Sequence, residues 1–308
     1  MLDKFKVSLP SFDVNSLLIS LKESLTAPNP EHLEKREQPS CDLVTIREGV
    51  LPSVLVINGF LTENDDSTDD WLEIVDKLYP ENKVVRVNWK AGNIKDMMFD
   101  KGVVPNLQTG HAGKTSLATT LLARTSLLGM IATTSASVVD KVLGHWKTSF
   151  YETCHVASSL AEILETTKNE QFIIMGHSLG GRIVRHTLAA LETSNLVSVA
   201  YVFAGAVSSE DEEWAHILEK HSELNLINCM SMKDVVLKSA YKAGTLWDHE
   251  PAGLAEIMNN NPHTLNLDVT EYASGHTEYK QQELGLYLKG ELGKLDSHKK
   301  RQLHLTLK

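Results

Sequence analysis

The chain has 308 residues, of which 42% are hydrophobic and 23% charged, a composition typical of a globular protein with a sizeable core. Its formal charge of −10 at pH 7 argues against nucleic acid as the main partner, because phosphate binding requires clustered Lys and Arg. The cysteines Cys41, Cys154 and Cys229 lie far apart, which disfavours a disulfide framework or a zinc site and favours a reducing compartment.

No targeting or membrane signal is readable in the sequence. The stretch MLDKFKVSLPSFDV at the start lacks the continuous apolar core of a signal peptide. Nor does any stretch reach the roughly 18–20 apolar residues of a membrane span. We therefore expect a cytoplasmic protein, although secretion by a route without a signal peptide would leave no mark.

The first half of the chain predicts a parallel α/β unit. Residues 1–42 read as a helix followed by a polar, proline-containing strap, and residues 44–46 as a short antiparallel edge strand. The apolar runs SVLVI (53–57) and KVVRVNW (83–89) predict strands, with a helix between them that ends near Lys77. The acidic loop before this helix lacks the D-x-D-x-D-G order of a calcium loop, so we interpret it as solvated; its acids are Asp65, Asp66, Asp69 and Asp70.

Residues 91–145 form an insertion where a compact α/β fold would have a single helix. Within it, residues 125–139 (TSLLGMIATTSASVV) carry no charge and show no strand character. Two interpretations stay open: a buried helix that crosses the core, or a lid that contacts an acyl chain and keeps water from a reaction. Residues 145–166 after it predict one long helix.

Residues 171–185 carry the strongest functional signal in the chain. The buried run FIIM predicts a strand, the sequence GHSLG follows at residues 176–180, and apolar residues then recur at helical spacing. Strand, G-x-S-x-G and helix form the context of a nucleophile elbow, with Ser178 as nucleophile. Gly176 and Gly180 leave room for the crossing helix at this sharp turn, and the start of the helix offers N–H groups to an oxyanion.

A serine nucleophile requires an acid and a base, which follow it in the order acid, then His, in elbow enzymes. The runs 197–207 and 224–229 predict the next strands, and 224–229 is the last clear one. Asp234 follows this strand, and we expect it to be the acid rather than a helix-capping aspartate. Glu210 and Asp211 rank second, because they stand in an EDEE run typical of a solvated helix start.

His276 is the predicted base. It follows Gly275 in the stretch ASGHTEY and precedes a helical pattern, as the chain order requires. His249 and His263 are rival loop histidines without a following helix.

The predicted oxyanion hole uses backbone N–H groups. One comes from Leu179, directly after the nucleophile, and the second from Phe60 in the loop after the strand 53–57. Asn58-Gly59-Phe60 stands where many such enzymes have His-Gly-x.

At this point the sequence resembles an α/β-hydrolase, and more particularly the poorly characterised hydrolase-like family that includes the transmembrane and coiled-coil domain-containing proteins. The resemblance rests on VINGFL (56–61), IMGHSLGGRIV (174–184), SMKDVVL (231–237) and NLDVTEYASGHTEY (266–279). It spans about residues 51–279 and implies a mostly parallel sheet flanked by helices, with Ser178, Asp234 and His276 as the catalytic residues; we expect the hydrolase domain to cover residues 43–292. Asn58 departs from the usual His, which removes a side-chain donor, and the membrane spans of relatives lie outside this domain.

The sequence thus predicts a serine hydrolase that cleaves a carboxylic ester, with a lipid or other acyl ester favoured by the apolar insertion. No metal or organic cofactor is expected. The alternatives are a non-catalytic binding or scaffold protein on the same fold, and a toxin-like phospholipase delivered into other cells. The basic tail 293–308 would suit peripheral contact with an anionic membrane, but a solvated terminus is the preferred interpretation. The oligomeric state is not readable from the sequence.

Overall fold

A seven-stranded sheet organises the protein in the computed structural model, which describes residues 40–60, 69–90, 136–168, 170–210, 212–242, 250–259 and 261–306. The strands are β1 (Cys41–Arg47), β2 (Val50–Ile57), β3 (Asn82–Trp89), β4 (Phe172–His177), β5 (Val197–Phe203), β6 (Asn225–Met230) and β7 (Thr264–Asp268). The helices of the described residues are α1 (Asp69–Leu78), α2 (Ala136–Thr166), α3 (Leu179–Ala190), α4 (Glu212–Lys220), α5 (Val235–Lys242) and α6 (Gln282–Thr306).

The strand order is β1-β3-β2-β4-β5-β6-β7, and every neighbouring pair is parallel except β1 with β3. This confirms the predicted antiparallel edge strand and the mostly parallel sheet. The central strands are buried on both faces, and all six residues of β4 are buried, which explains why they read as continuous apolar runs.

β7 is a further strand beyond the run 224–229, which is the last strand clearly predicted by the sequence pattern. Thr264–Asp268 pairs in parallel with β6 from Leu226 to Met230. Only Leu267 of this strand is buried, because β7 lies at the edge of the sheet. An edge strand with one buried side chain lacks the apolar run by which the other strands were recognised.

Winding of the chain reverses between β2 and β4, which lie side by side. From β2 the chain crosses to β3 in one direction, and from β3 it returns past β2 to β4 in the other. Right-handed crossovers therefore place α1 and α2 on opposite faces. In agreement, α6 packs on α1, whereas α2 and α4 pack on α3. The carboxyl ends of β2 and β4 form the switch point at which sheets of this kind bind ligands.

Two helices differ from their predicted bounds. α2 begins at Ala136, inside the predicted insertion, and ends at Thr166 as expected. α6 continues to Thr306, so the predicted boundary between the domain and the basic tail at residue 293 lies within a helix. Residues 1–39 of the predicted helix and strap (1–42), the acids Asp65 and Asp66, and residues 91–135 of the insertion lie outside the described residues. The last two residues of the predicted strap belong to β1.

Candidate active site

Ser178 lies between β4 and α3 in a strained backbone conformation. Its φ is 58° and its ψ is −117°, a region that residues with a side chain rarely adopt. The backbone around it is fully engaged: its N–H donates to the carbonyl of Phe203, and its own carbonyl accepts from Gly181 and Ala206. These three hydrogen bonds hold the strained turn in place. The turn places the Ser178 hydroxyl at the carboxyl end of the sheet.

The two predicted elbow glycines are required by close approach of backbone to backbone. A Cβ on Gly176 would lie 2.3 Å from the carbonyl oxygen of Gly180, and a Cβ on Gly180 would lie 2.2 Å from that of Ile57. Both separations are far below any tolerated contact. α3 can therefore cross β2 and β4 at this short distance only with glycine at these positions.

The structure brings Ser178, His276 and Asp234 together from three separate loops. His276 Nε2 lies 2.9 Å from Ser178 Oγ, and His276 Nδ1 lies 2.7 Å from Asp234 Oδ2. A carboxylate can only accept, so Nδ1 carries the proton of the neutral ring and Nε2 accepts from the serine hydroxyl. The side chain of Asp234 is fully buried, and that of His276 is 13% exposed.

The loop that carries Asp234 is tied to the loop that carries His276. Ser231 Oγ donates to the carbonyl of Ala273 over 2.7 Å, and the Ser231 carbonyl accepts from the Asp234 N–H. Asp234 Oδ1 accepts from the Leu237 N–H in the first turn of α5. One carboxylate oxygen therefore caps the helix, as the alternative interpretation of Asp234 required, while the other faces His276.

The two rival candidates with described positions, Glu210 and His263, do not take these positions. His263 precedes β7 and lies beside Asn225, at the amino end of the sheet and thus opposite the site. The Glu210 carbonyl accepts from Ser208 in a loop after β5, and the carboxylate that faces His276 is that of Asp234. Asp211 and His249 lie outside the described residues.

The loop after β2 passes directly against the serine. A Cβ on Gly59 would lie 2.8 Å from Ser178 Cβ and 3.3 Å from its Oγ. Phe60 follows Gly59 and is partly buried against the core, and Leu179, the first residue of α3, is fully buried. The two residues predicted to supply oxyanion donors are thus the immediate chain neighbours of Gly59 and Ser178.

Sequence reasoning missed His177, although it lies inside the G-x-S-x-G motif. Its Nε2–H donates to the carbonyl of His276 over 2.6 Å, and its ring lies 5.0 Å from the ring of His276. Burial, together with the positive charge available on His276 and Lys280, holds the pKa of His177 well below its usual value. A neutral His177 can anchor the His276 backbone without adding a second charge beside it.

Among the residues with described positions, no group of His, Cys, Asp or Glu side chains could hold a metal ion. The same part of the chain contains no helix long and apolar enough to cross a membrane.

The strand order with its one antiparallel edge, the G-x-S-x-G turn and the chain order Ser178, Asp234, His276 together define an α/β-hydrolase fold. The chain belongs to the family described as "Protein of unknown function (DUF726)", whose model matches residues 42–289. This agrees with the sequence resemblance to a poorly characterised hydrolase-like family. The comparison with curated protein sequences found no match.

Solved structures with a similar fold come from distant proteins. A predicted CIB-like hydrolase from Thermoplasma acidophilum is 13% identical, with a TM-score of 0.37 over 82% of this chain and 98% of that chain. Alpha/beta hydrolase domain-containing protein 10 from mouse is 12% identical, with a TM-score of 0.39 over 86% and 96%. A putative lipase from Acinetobacter baumannii is 10% identical, with a TM-score of 0.37 over 96% and 99%. These scores are below 0.5, and the fold assignment follows from strand order and the elbow.

Proposed function

We propose that this protein is a serine hydrolase that cleaves a carboxylic ester through an acyl-enzyme intermediate. The observation that carries the proposal is the imidazole of His276, which lies within hydrogen-bond distance of both the Ser178 hydroxyl and the buried Asp234 carboxylate. A serine is activated for attack when it is hydrogen-bonded to a base that is in turn hydrogen-bonded to an orienting acid.

In the proposed reaction, Ser178 Oγ attacks the ester carbonyl while His276 Nε2 takes its proton. Asp234 accepts the hydrogen bond from Nδ1–H and stabilises the imidazolium that forms. The backbone N–H groups of Leu179 and Phe60 stabilise the oxyanion. His276 then returns the proton to the leaving alcohol, and a water molecule, activated by the same histidine, releases the acid and restores the Ser178 hydroxyl.

Labelling with a fluorophosphonate probe, followed by intact mass, tests the proposal. We expect wild type to gain the mass of one probe less HF, because fluoride leaves as Ser178 Oγ bonds to phosphorus, and Ser178→Ala to gain none. Ser198→Ala is a matched control, since this partly buried serine donates to the carbonyl of Phe172 at the amino end of the sheet, and it should label like wild type. No labelling of folded wild type, with or without detergent, would overturn the proposal and favour a non-catalytic binding protein on the same fold.

We further propose an acyl or lipid ester as the substrate, which rests on the apolar stretch near residues 115–145, within the insertion 91–145. Replacement of Leu127, Leu128 and Ile131 by Ser should then impair hydrolysis of long-chain p-nitrophenyl esters more than that of short-chain esters. Equal loss on both classes would remove the argument for a lid or acyl-contacting helix.

A further inference from the structure

Asn58 directly follows β2, at the start of the loop that passes Ser178, and it is buried. Its side-chain oxygen accepts from Trp71 Nε1 over 2.6 Å and from Lys280 Nζ over 2.8 Å. Its backbone carbonyl accepts from Trp89 Nε1 over 3.0 Å. Donors from α1, from the end of β3 and from the chain after His276 therefore converge on one residue.

The chemistry of the donors fixes the orientation of the Asn58 amide. An indole N–H and an ammonium group can only donate, so the atom that faces both must be the oxygen. A histidine in this position could offer at most one ring nitrogen as acceptor, whereas an amide oxygen has two lone pairs. Asn58 can therefore accept from two donors at once, which the more usual His cannot do. The change from His to Asn supplies a hydrogen-bond acceptor at this position.

Lys280 joins this arrangement to the chain that carries His276. Its side chain is 11% exposed, and its ammonium lies 2.6 Å from Asp70 Oδ2 as well as 2.8 Å from the Asn58 oxygen. It also lies 4.5 Å from the centre of the Trp71 ring. A carboxylate, an amide oxygen and an aromatic face together compensate the buried charge, so the lysine is held in one place.

The orientation of the Asn58 backbone determines where the next two residues lie. Gly59 passes so close to the serine that a side chain would collide there, since a Cβ would lie 2.8 Å from Ser178 Cβ. Three hydrogen bonds hold Asn58 on the other side of the same loop. The peptide that carries the Phe60 N–H therefore follows directly on a residue that these three hydrogen bonds hold in place.

We propose that Asn58 and Lys280 are positioning residues, which fix the loop that supplies the second oxyanion donor and couple it to the loop that carries His276. The inference rests on the proposed hydrolase function. It differs from a purely structural role because a displaced oxyanion donor weakens binding of the transition state and leaves substrate binding nearly unchanged.

Four variants and one control test this assignment. Asn58→Leu removes the acceptor at similar volume, Asn58→Asp keeps it, Lys280→Met removes the donor, and the fourth variant combines Asn58→Leu with Lys280→Met. Lys294→Met is the matched control, since Lys294 lies on α6 in an exposed ion pair with Glu291. For each protein we would measure kcat and KM on a short p-nitrophenyl ester, the affinity of a trifluoromethyl ketone, and the melting temperature.

We expect kcat to fall about 10- to 100-fold in Asn58→Leu and about 10-fold in Lys280→Met, with KM within about 3-fold of wild type. Affinity for the ketone, which mimics the tetrahedral intermediate, should fall in parallel with kcat/KM. Asn58→Asp keeps an acceptor oxygen, so its kcat should fall less than that of Asn58→Leu. The double variant should lose less than the product of the two single losses, because the hydrogen bond between Lys280 and Asn58 is broken by either change. Lys294→Met should match wild type.

The outcomes separate this inference from the proposed function. If wild type is not labelled by a fluorophosphonate, the hydrolase proposal fails and this inference fails with it. If wild type is labelled and Asn58→Leu and Lys280→Met both retain kcat within about 3-fold, or lose activity only through KM, this inference alone is overturned. If Asn58→Leu does not fold, the kinetics of Lys280→Met test the positioning role, since the Lys280 side chain lies closer to the surface.

Discussion

Replacing Asp234 by Asn changes a single atom of the candidate site and should stop the proposed reaction. Asp234 Oδ1 accepts from the Leu237 N–H over 3.0 Å, and Oδ2 faces His276 Nδ1 over 2.7 Å. In Asp234→Asn the amide oxygen stays with the Leu237 N–H, which needs an acceptor, and the NH₂ group faces His276. Nδ1 must then accept, so the proton moves to Nε2 and points at Ser178.

A histidine in that tautomer cannot take the serine proton. We expect kcat to fall about 10⁴-fold, the loss typical of a triad whose histidine is held in the wrong tautomer. This corresponds to about 5 kcal/mol of transition-state stabilisation, since each tenfold change in rate is about 1.4 kcal/mol. Folding should change little, because the volume is the same and the helix cap is kept.

The assay is hydrolysis of a short p-nitrophenyl ester by purified wild type and variant, with thermal melting of both. Asp76→Asn is the matched control: this aspartate lies on α1 in a largely exposed ion pair with Arg47. Loss of such a surface pair costs about 1 kcal/mol or less and should leave kcat unchanged. Activity of Asp234→Asn within about 10-fold of wild type would refute the assignment of Asp234 as the orienting acid.

Two further predictions concern stability. Gly180→Ala places a Cβ 2.2 Å from the Ile57 carbonyl oxygen, and we expect a loss of about 1–3 kcal/mol or more in urea unfolding. Gly290→Ala, on an open face of α6, should instead gain about 0.5–1 kcal/mol, and equal effects of the two changes would contradict the packing described for the elbow. Burial and two neighbouring arginines lower the pKa of His186 to about 3. Because the unfolded chain binds this proton at about pH 6.5, the histidine destabilises the fold as pH falls from 6.5 toward 3, by up to about 2 kcal/mol at pH 5. The slope of unfolding free energy against pH between 6.5 and 5 measures the protons taken up on unfolding, and His186→Leu should reduce that uptake by about one proton. An unchanged slope would show that His186 is protonated in the folded protein.

The pattern of the sequence determined the sheet interior and the elbow. Buried strands such as β4 read as apolar runs because both of their faces pack against helices. The glycines around Ser178 were recognisable because a sharp strand-to-helix turn has local requirements that any chain must meet at a fixed spacing. The chain order of nucleophile, acid and base then limited the candidates for each role.

Only the tertiary structure decided which candidates meet and what supports them. His263 and His276 are both loop histidines, and they differ in the end of the sheet at which they lie. From the sequence, Asn58 was interpreted as the loss of a side-chain donor. In the structure its side chain accepts hydrogen bonds from Trp71 and from Lys280, and Lys280 lies more than 200 residues away in the chain. Contacts between distant residues leave no periodicity in the sequence, because they depend on how the loops at the carboxyl ends of the strands converge.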